Sequence, residues 1–204
     1  MKPEIISISG FFIIFIKKNM IDNLKSHIEQ FFTFCDTDWN DISSYFNLHQ
    51  VKKNHVLVKE GLYVGEKYFI VSGIVKAYEI NEEGKEFIIQ FGKENIWITD
   101  FKAFFNNTYA KLNVDCVTDC LLISVSRKNK EILCTKYHQM ANYFRLMAED
   151  SFVFAQLRLL SQMRETAEER YNALLQRSPD LVQRVPKKLL ASYLGVSKET
   201  LSRL

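Results

Sequence analysis

The stretch "KYFIVSGIVKAYEINEEGKEFIIQFGKEN", Lys67 to Asn95, decides the fold. Its apolar runs are rich in β-branched and aromatic residues and are broken by Gly73, by "NEEG" and by Gly92. Runs of this kind and length form strands. "NEEG" between "KAYEI" and "KEFIIQF" is a hairpin connection, in which Gly84 supplies a positive φ. "HVLVKEG" upstream and "LNVDCVTDCLLISV" downstream repeat the pattern, with Gly61 and Gly65 as further breaks. Several short strands at this spacing predict an antiparallel barrel or sandwich.

Outside this block the period changes. Residues 21–49 carry helical spacing: Ile21, Leu24, Ile28, Phe31 and Phe32 recur on one side, and "DTDWNDISSYF" reads as an N-capped second helix. Before them, "IISISGFFIIFIKK" is apolar but too short to span a bilayer. It reads equally as sequence upstream of a start at Met20 or as a first element packing on the body. After Gly92 no glycine occurs until Gly195, and no proline occurs between Pro3 and Pro179. "SRKNKEILCTKY" predicts a short helix and "HQMANYFRLMAEDSFVFAQLRLLSQMRE" a long one. On the long helix Phe144, Met147, Phe154 and Ala155 take one side, and Leu146, Val153, Leu157 and Leu160 another. A helix apolar on two sides touches two bodies, one its own domain and the other a second copy of itself. Thr166 and Glu169 form a capping box that opens a further helix, and Ser178-Pro179-Asp180 ends it. Pro186 suits the first turn of the next.

Composition narrows the function. With 47% hydrophobic residues the chain buries a proper core. Arg184 to Leu204 carries five basic residues and one acidic, so of 27 basic and 24 acidic residues the rest of the chain holds 22 and 23. A neutral body with a basic end suits a polyanion partner there. Cys35, Cys116, Cys120 and Cys134 form no C-x-x-C pair and read as reduced cytoplasmic thiols, Cys116 and Cys120 on one face of one strand. The histidines are scattered without metal-ligand spacing, and no hydrolase, P-loop or zinc-protease motif occurs. These features predict no enzyme, no metal, no cofactor and no membrane.

"LLASYLGVSKETLSRL" closes the chain. Leu190, Ala191 and Leu194 share a helix face, Gly195 permits a turn, Ser197 caps a second helix, and Leu201 and Leu204 return to the shared core with Val196. This is helix-turn-helix spacing, with Ala191 small where the helices cross. Lys198, Glu199, Ser202 and Arg203 then point outward from the start of the second helix, where a recognition helix meets base edges. Arg203 suits guanine, Glu199 suits cytosine N4, and Lys198 suits guanine or phosphate. Ser197, Thr200 and Ser202 suit phosphate oxygens, and Lys187 and Lys188 suit the DNA backbone.

With these motifs in hand, Asp41 to Leu204 resembles the Crp–Fnr family, the cyclic-AMP receptor protein type of bacterial transcription regulators. "VPKKLLASYLGVSKETLSRL" is similar to its DNA-binding signature, S-K-E-T-L-S-R standing where members typically carry S-R-E-T-V-G-R. "KYFIVSGIVKAYEINEEGKEFIIQFGKEN" resembles the hairpin of its cyclic-nucleotide-binding-type domain, and "ERYNALLQRSPDLVQRVP" is like the lead-in of Bacteroidetes-type members. The resemblance implies an α+β chain: helices and a β-barrel or jelly roll over 1–136, a dimerisation helix over 137–163 and a helix-turn-helix domain over 164–204. It implies a homodimer on double-stranded DNA, with RNA polymerase as a further partner. Phe144, Met147, Val153, Phe154, Leu157 and Leu160 are the dimer-helix candidates.

The family's phosphate cassette is altered. Where cyclic-AMP binders carry Gly-Glu-Leu and then Arg-Ser-Ala, this chain has Thr99, Asp100 and Phe101, then Ala110, Lys111 and Leu112. The phosphate-pairing arginine is absent, and a lysine cannot form its bidentate fork. Thr99, Asp100 and Lys111 remain the effector-pocket candidates, and no tight cyclic-AMP binding is expected. Many members also continue into a longer recognition helix and a β-wing, so a few residues beyond Leu204 are expected. Two other readings stand beside the regulator: a small-molecule sensor whose helical end mediates assembly, and a cupin-like enzyme, which needs an interior histidine cluster.

Overall fold

The apolar runs between residues 46 and 126 form eight strands: β1 (Phe46–Val51), β2 (Val56–Val58), β3 (Glu66–Ser72), β4 (Val75–Ile80), β5 (Glu86–Gly92), β6 (Trp97–Ile98), β7 (Asn113–Cys116) and β8 (Cys120–Ser126). A computed structural model describes residues 8–203, with side chains from Lys18 onward. All strand pairs are antiparallel, in two four-stranded sheets of order β1-β8-β3-β6 and β2-β7-β4-β5. This is a jelly-roll sandwich, not the closed barrel that the spacing equally allowed. The edge strands β2 and β6 have three and two residues, too short to carry a ladder from one sheet to the other. Register shifts between Ile70 and Ser72 and between Ala77 and Tyr78 bend the strands instead. Gly84 has φ 76°, as the β4–β5 hairpin requires.

Strand alternation divides the protein into three packed layers. On β3, Tyr68 and Ile70 face the sandwich interior, with Val75, Val114, Leu122 and Phe104. Phe69 faces the other way, into a helical layer with Leu24, Ile28, Trp97, Leu133 and Tyr143. That layer comprises α1 (Ile8–Glu29), α2 (Asp36–Ser43), α4 (Arg127–Lys136) and the start of α5 (His138–Arg164). Across the sandwich, Ile74, Tyr78, Ile88 and Phe91 bury their outer face against Leu174, Leu181, Leu190 and Leu194. These belong to α6 (Ala167–Arg177), α7 (Pro179–Arg184) and α8 (Lys187–Leu194); α9 (Lys198–Leu201) adds Leu201. The remaining helix, α3 (Phe101–Asn106), closes one end of the sandwich.

Several local expectations shift. Phe31 and Phe32 lie past the end of α1, and Phe31 is exposed. The helical reading of residues 21–49 ends at Ser43, because Phe46 opens a strand paired with β8. Cys116 ends β7 while Cys120 begins β8, so they lie on two strands, both buried in the interior. Ser178-Pro179-Asp180 ends α6 and at once starts α7, Pro179 taking the first helical position. Pro186 is the N-cap of α8, one residue before its first turn. The Thr166–Glu169 capping box is present as read.

Candidate functional site

The C-terminal pair of helices is built by its caps. Gly195 ends α8 at φ 73°, and its N–H and that of Val196 return to the carbonyls of Ser192 and Ala191. Ser197 then caps α9, its hydroxyl accepting from the Thr200 N–H at 3.1 Å. Leu190, Ala191, Leu194 and Leu201 are buried together. Lys198, Glu199, Thr200, Ser202 and Arg203 are all exposed on one short helix and its end. The carboxyl of Glu199 is held below the usual range by its own backbone N–H and by the Ser197 hydroxyl, so it stays an acceptor. The hydroxyls of Ser197 and Thr200 are 3.0 Å apart and pair with each other. Ser202 is the hydroxyl of the three without such a partner among the described residues.

Lys187 and Lys188 open α8, exposed and in no ion pair among the described residues. Arg184 differs: its guanidinium forks onto Glu94 at 2.7 and 3.0 Å and reaches Asp180 at 3.9 Å. Burial pushes the Glu94 carboxyl up, but Arg184 and the Gly73 N–H outweigh it and hold it at about 2. Arg184 is therefore a fastener between the C-terminal unit and the sheet. Among the described residues, Lys187, Lys188, Lys198 and Arg203 remain at the exposed end without an ion-pair partner.

Other fasteners reinforce this seam. Arg158 of α5 stacks on Tyr193 at 3.9 Å and donates to the carbonyls of Ile88, Ile89 and Tyr193. Arg170 donates to the Leu194 carbonyl. Ser192 donates to the Glu86 carbonyl at 2.6 Å, and Lys93 pairs with Asp180 at 3.0 Å. Sequence reading missed these contacts because they join residues up to 106 positions apart.

The effector-pocket candidates sit elsewhere, Thr99 and Asp100 buried and Lys111 exposed. Thr99 is buried and donates to the Glu66 carbonyl at 2.9 Å. Asp100 is buried as the N-cap of α3: one oxygen accepts from Ala103 N–H at 3.0 Å, the other from Lys111 and Leu112 N–H at 2.8 and 3.1 Å. Three backbone donors thus converge on an internal carboxylate. Lys111 contributes only its backbone there, since the residue is exposed.

On α5, Phe144 is buried in the chain's own helical layer and Met147 packs beside it. Phe154 lies under the Arg177 guanidinium at 5.1 Å. Val153, Leu157 and Leu160 are about half exposed, and Phe152, Leu159 and Met163 are more exposed still. Among the described residues no helix is long and apolar enough to cross a membrane, and no three metal-ligating side chains cluster.

Comparison with known proteins agrees with this layout. Residues 48–137 match the family model described as the cyclic nucleotide-binding domain. No curated protein matches the chain by sequence. Among solved structures it is similar to FixK2 from Bradyrhizobium japonicum (TM-score 0.67, 21% identity, covering 78% of this chain and 81% of that one). A protein from Eubacterium rectale assigned to the Crp/Fnr transcriptional regulators gives TM-score 0.66 at 14% identity, covering 83% and 81%. The catabolite activator protein of Thermus thermophilus gives 0.54 at 18%, covering 85% and 83%.

Proposed function

From the premise that the chain carries a cyclic nucleotide-binding-type domain in the fold of Crp/Fnr-type neighbours, we propose that it is a sequence-specific, DNA-binding transcription regulator. The carrying observation is the α8–turn–α9 unit, which presents Lys198, Glu199 and Arg203 on an exposed helix beside Lys187 and Lys188. Its first turn fits the major groove, and the lysines fit the flanking phosphates. Residues 1–136 are the sensor, 137–163 the dimer helix and 164–204 the DNA-binding unit of a cytoplasmic protein. Selection of bound sequences from a random DNA pool tests the reading. A recovered inverted repeat supports it, and binding with no sequence preference overturns it. In the selected site, Arg203→Ala is expected to lower affinity by about 1–3 kcal/mol and to relax one base position, read by fluorescence anisotropy.

The protein acts as a homodimer through α5. Val153, Leu157 and Leu160 follow the 4-and-3 spacing of a coiled-coil seam, and exposures of 57% for Leu157 and 75% for Met163 leave this face uncovered in one copy.

The sensor does not bind cyclic AMP tightly. The three N–H groups that converge beside α3 already hold the Asp100 carboxylate, and a nucleotide phosphate arriving there would meet a buried negative charge. Calorimetry is expected to show no heat with cyclic AMP, and micromolar binding overturns this part of the reading.

A further inference from the structure

A cavity of about 470 Å³ lies on the helical side of the β1-β8-β3-β6 sheet, outside the sandwich interior, between β3, α3, α4 and α5. Its volume falls in the range that holds small organic ligands, about 300–1,000 Å³. The walls are aromatic: Trp97, Phe101, Phe105, Phe144 and Phe152. Into this lining β3 projects Lys67, on the same side of the strand as Phe69. Lys67 is only 4% exposed. Its ammonium lies 3.9 Å from the Phe144 ring centre and 4.5 Å from that of Trp97, and it has no hydrogen-bond or ion-pair partner among the described residues.

A buried cation is costly unless paired. Two ring faces offset part of that cost. The neighbourhood does not supply the rest: Lys130 and Arg145 also line the cavity, and among the described residues no carboxylate does. Arg145 is satisfied by Glu149 at 2.7 Å, whereas Lys130 adds a second amine, 5.6 Å from the Phe144 ring centre. Burial, with Lys130 beside it, pushes the Lys67 ammonium well below the usual lysine range. The charge pattern is two unpaired amines within aromatic walls.

We propose that this cavity is the effector site and that its ligand is an apolar carboxylate, its acid group paired with Lys67 and its body against the rings of Trp97, Phe105 and Phe144. The acid brings the negative charge that no described residue supplies at Lys67, and α5 forms one wall, so occupancy is felt on the helix that carries the exposed apolar face. The site stands independently of DNA recognition.

The test is calorimetry on the full chain with 1-naphthylacetate and with decanoate, each against its primary amide. Binding of either acid is expected, and which one binds distinguishes an aromatic from an aliphatic effector. The amide is expected to bind about tenfold to a hundredfold more weakly, as is the acid to a Lys67→Met variant whose circular dichroism is unchanged. Failure of both acids to bind, or acid and amide binding alike, overturns the proposal. The acid–amide contrast is read on the unaltered protein, so it decides even where Lys67→Met does not fold. Undiminished acid binding by a folded Lys67→Met also overturns it.

Discussion

Asp100 shows how one side chain fixes a local structure. Its two oxygens satisfy three backbone N–H groups in a buried setting and cap α3. Asp100→Ala strips all three donors at once. Unsatisfied buried donors cost about 1–3 kcal/mol each, partly relieved by water, and a lost N-cap costs about 1 kcal/mol. A loss of about 2–4 kcal/mol in urea unfolding is expected. Glu94 predicts a pH dependence. Its carboxyl lies at about 2 in the folded protein against an ordinary 4.5. A depressed acid stabilises the fold above the unfolded value, and that stability is lost as pH falls from 4.5 toward 2. With a third of the side chain in solvent, screening reduces the effect to about 1 kcal/mol. Urea titrations of the native protein and of Arg184→Ala are expected to diverge above that window and converge within it. Lys67 was legible only in part. Its place in "KYFIV", two residues from Phe69, puts it on an apolar face by strand alternation, but the helices that seal it come from distant sequence.

Among the elements, the turn between α8 and α9 depends on Gly195. A Cβ there would meet only Gln162 Oε1 at 3.5 Å, an ordinary contact, so the cost of Gly195→Ala comes from φ 73°. That is about 1–2 kcal/mol, to be read as a lower thermal midpoint together with weaker DNA binding. The free lysines are judged by salt. Lys188→Ala is expected to weaken binding alike on all sequences and to reduce the slope of log affinity against log salt by about 1 for each contact removed. Hairpin, capping box and terminal helices were legible because each rests on neighbours within a few residues. α7 was not, because "SPDLVQR" reads as a helix stop until tertiary packing buries Leu181. Closure of the sheet was not legible either: short runs alternate alike in a barrel and a sandwich, and the three- and two-residue lengths of β2 and β6 separate them.

At the scale of the whole molecule, the proposed homodimer rests on the uncovered face of α5. Leu157→Glu and Leu160→Glu place charge in the uncovered face at two exposed positions. Monomers are expected in sedimentation velocity where the native chain sediments as a dimer, with unchanged circular dichroism. The two-sided character of this helix was readable from its apolar residues. Which side belongs to the chain itself was settled by Tyr143 and Phe144, which enter the helical layer.

The seam between the β2-β7-β4-β5 sheet and the C-terminal helices has a mechanical consequence. Leu174, Leu190 and Tyr193 share one core with Ile88 and Phe91, and Arg158 and Arg184 bolt its margins. These contacts tie the unit to the sandwich of its own chain. In the proposed homodimer, a C-terminal unit tied to its own sandwich leaves rocking of one protomer against the other about α5 as the way to change the distance between the two α9 helices. An effector that works without breaking the seam must act as a lever on that rocking axis.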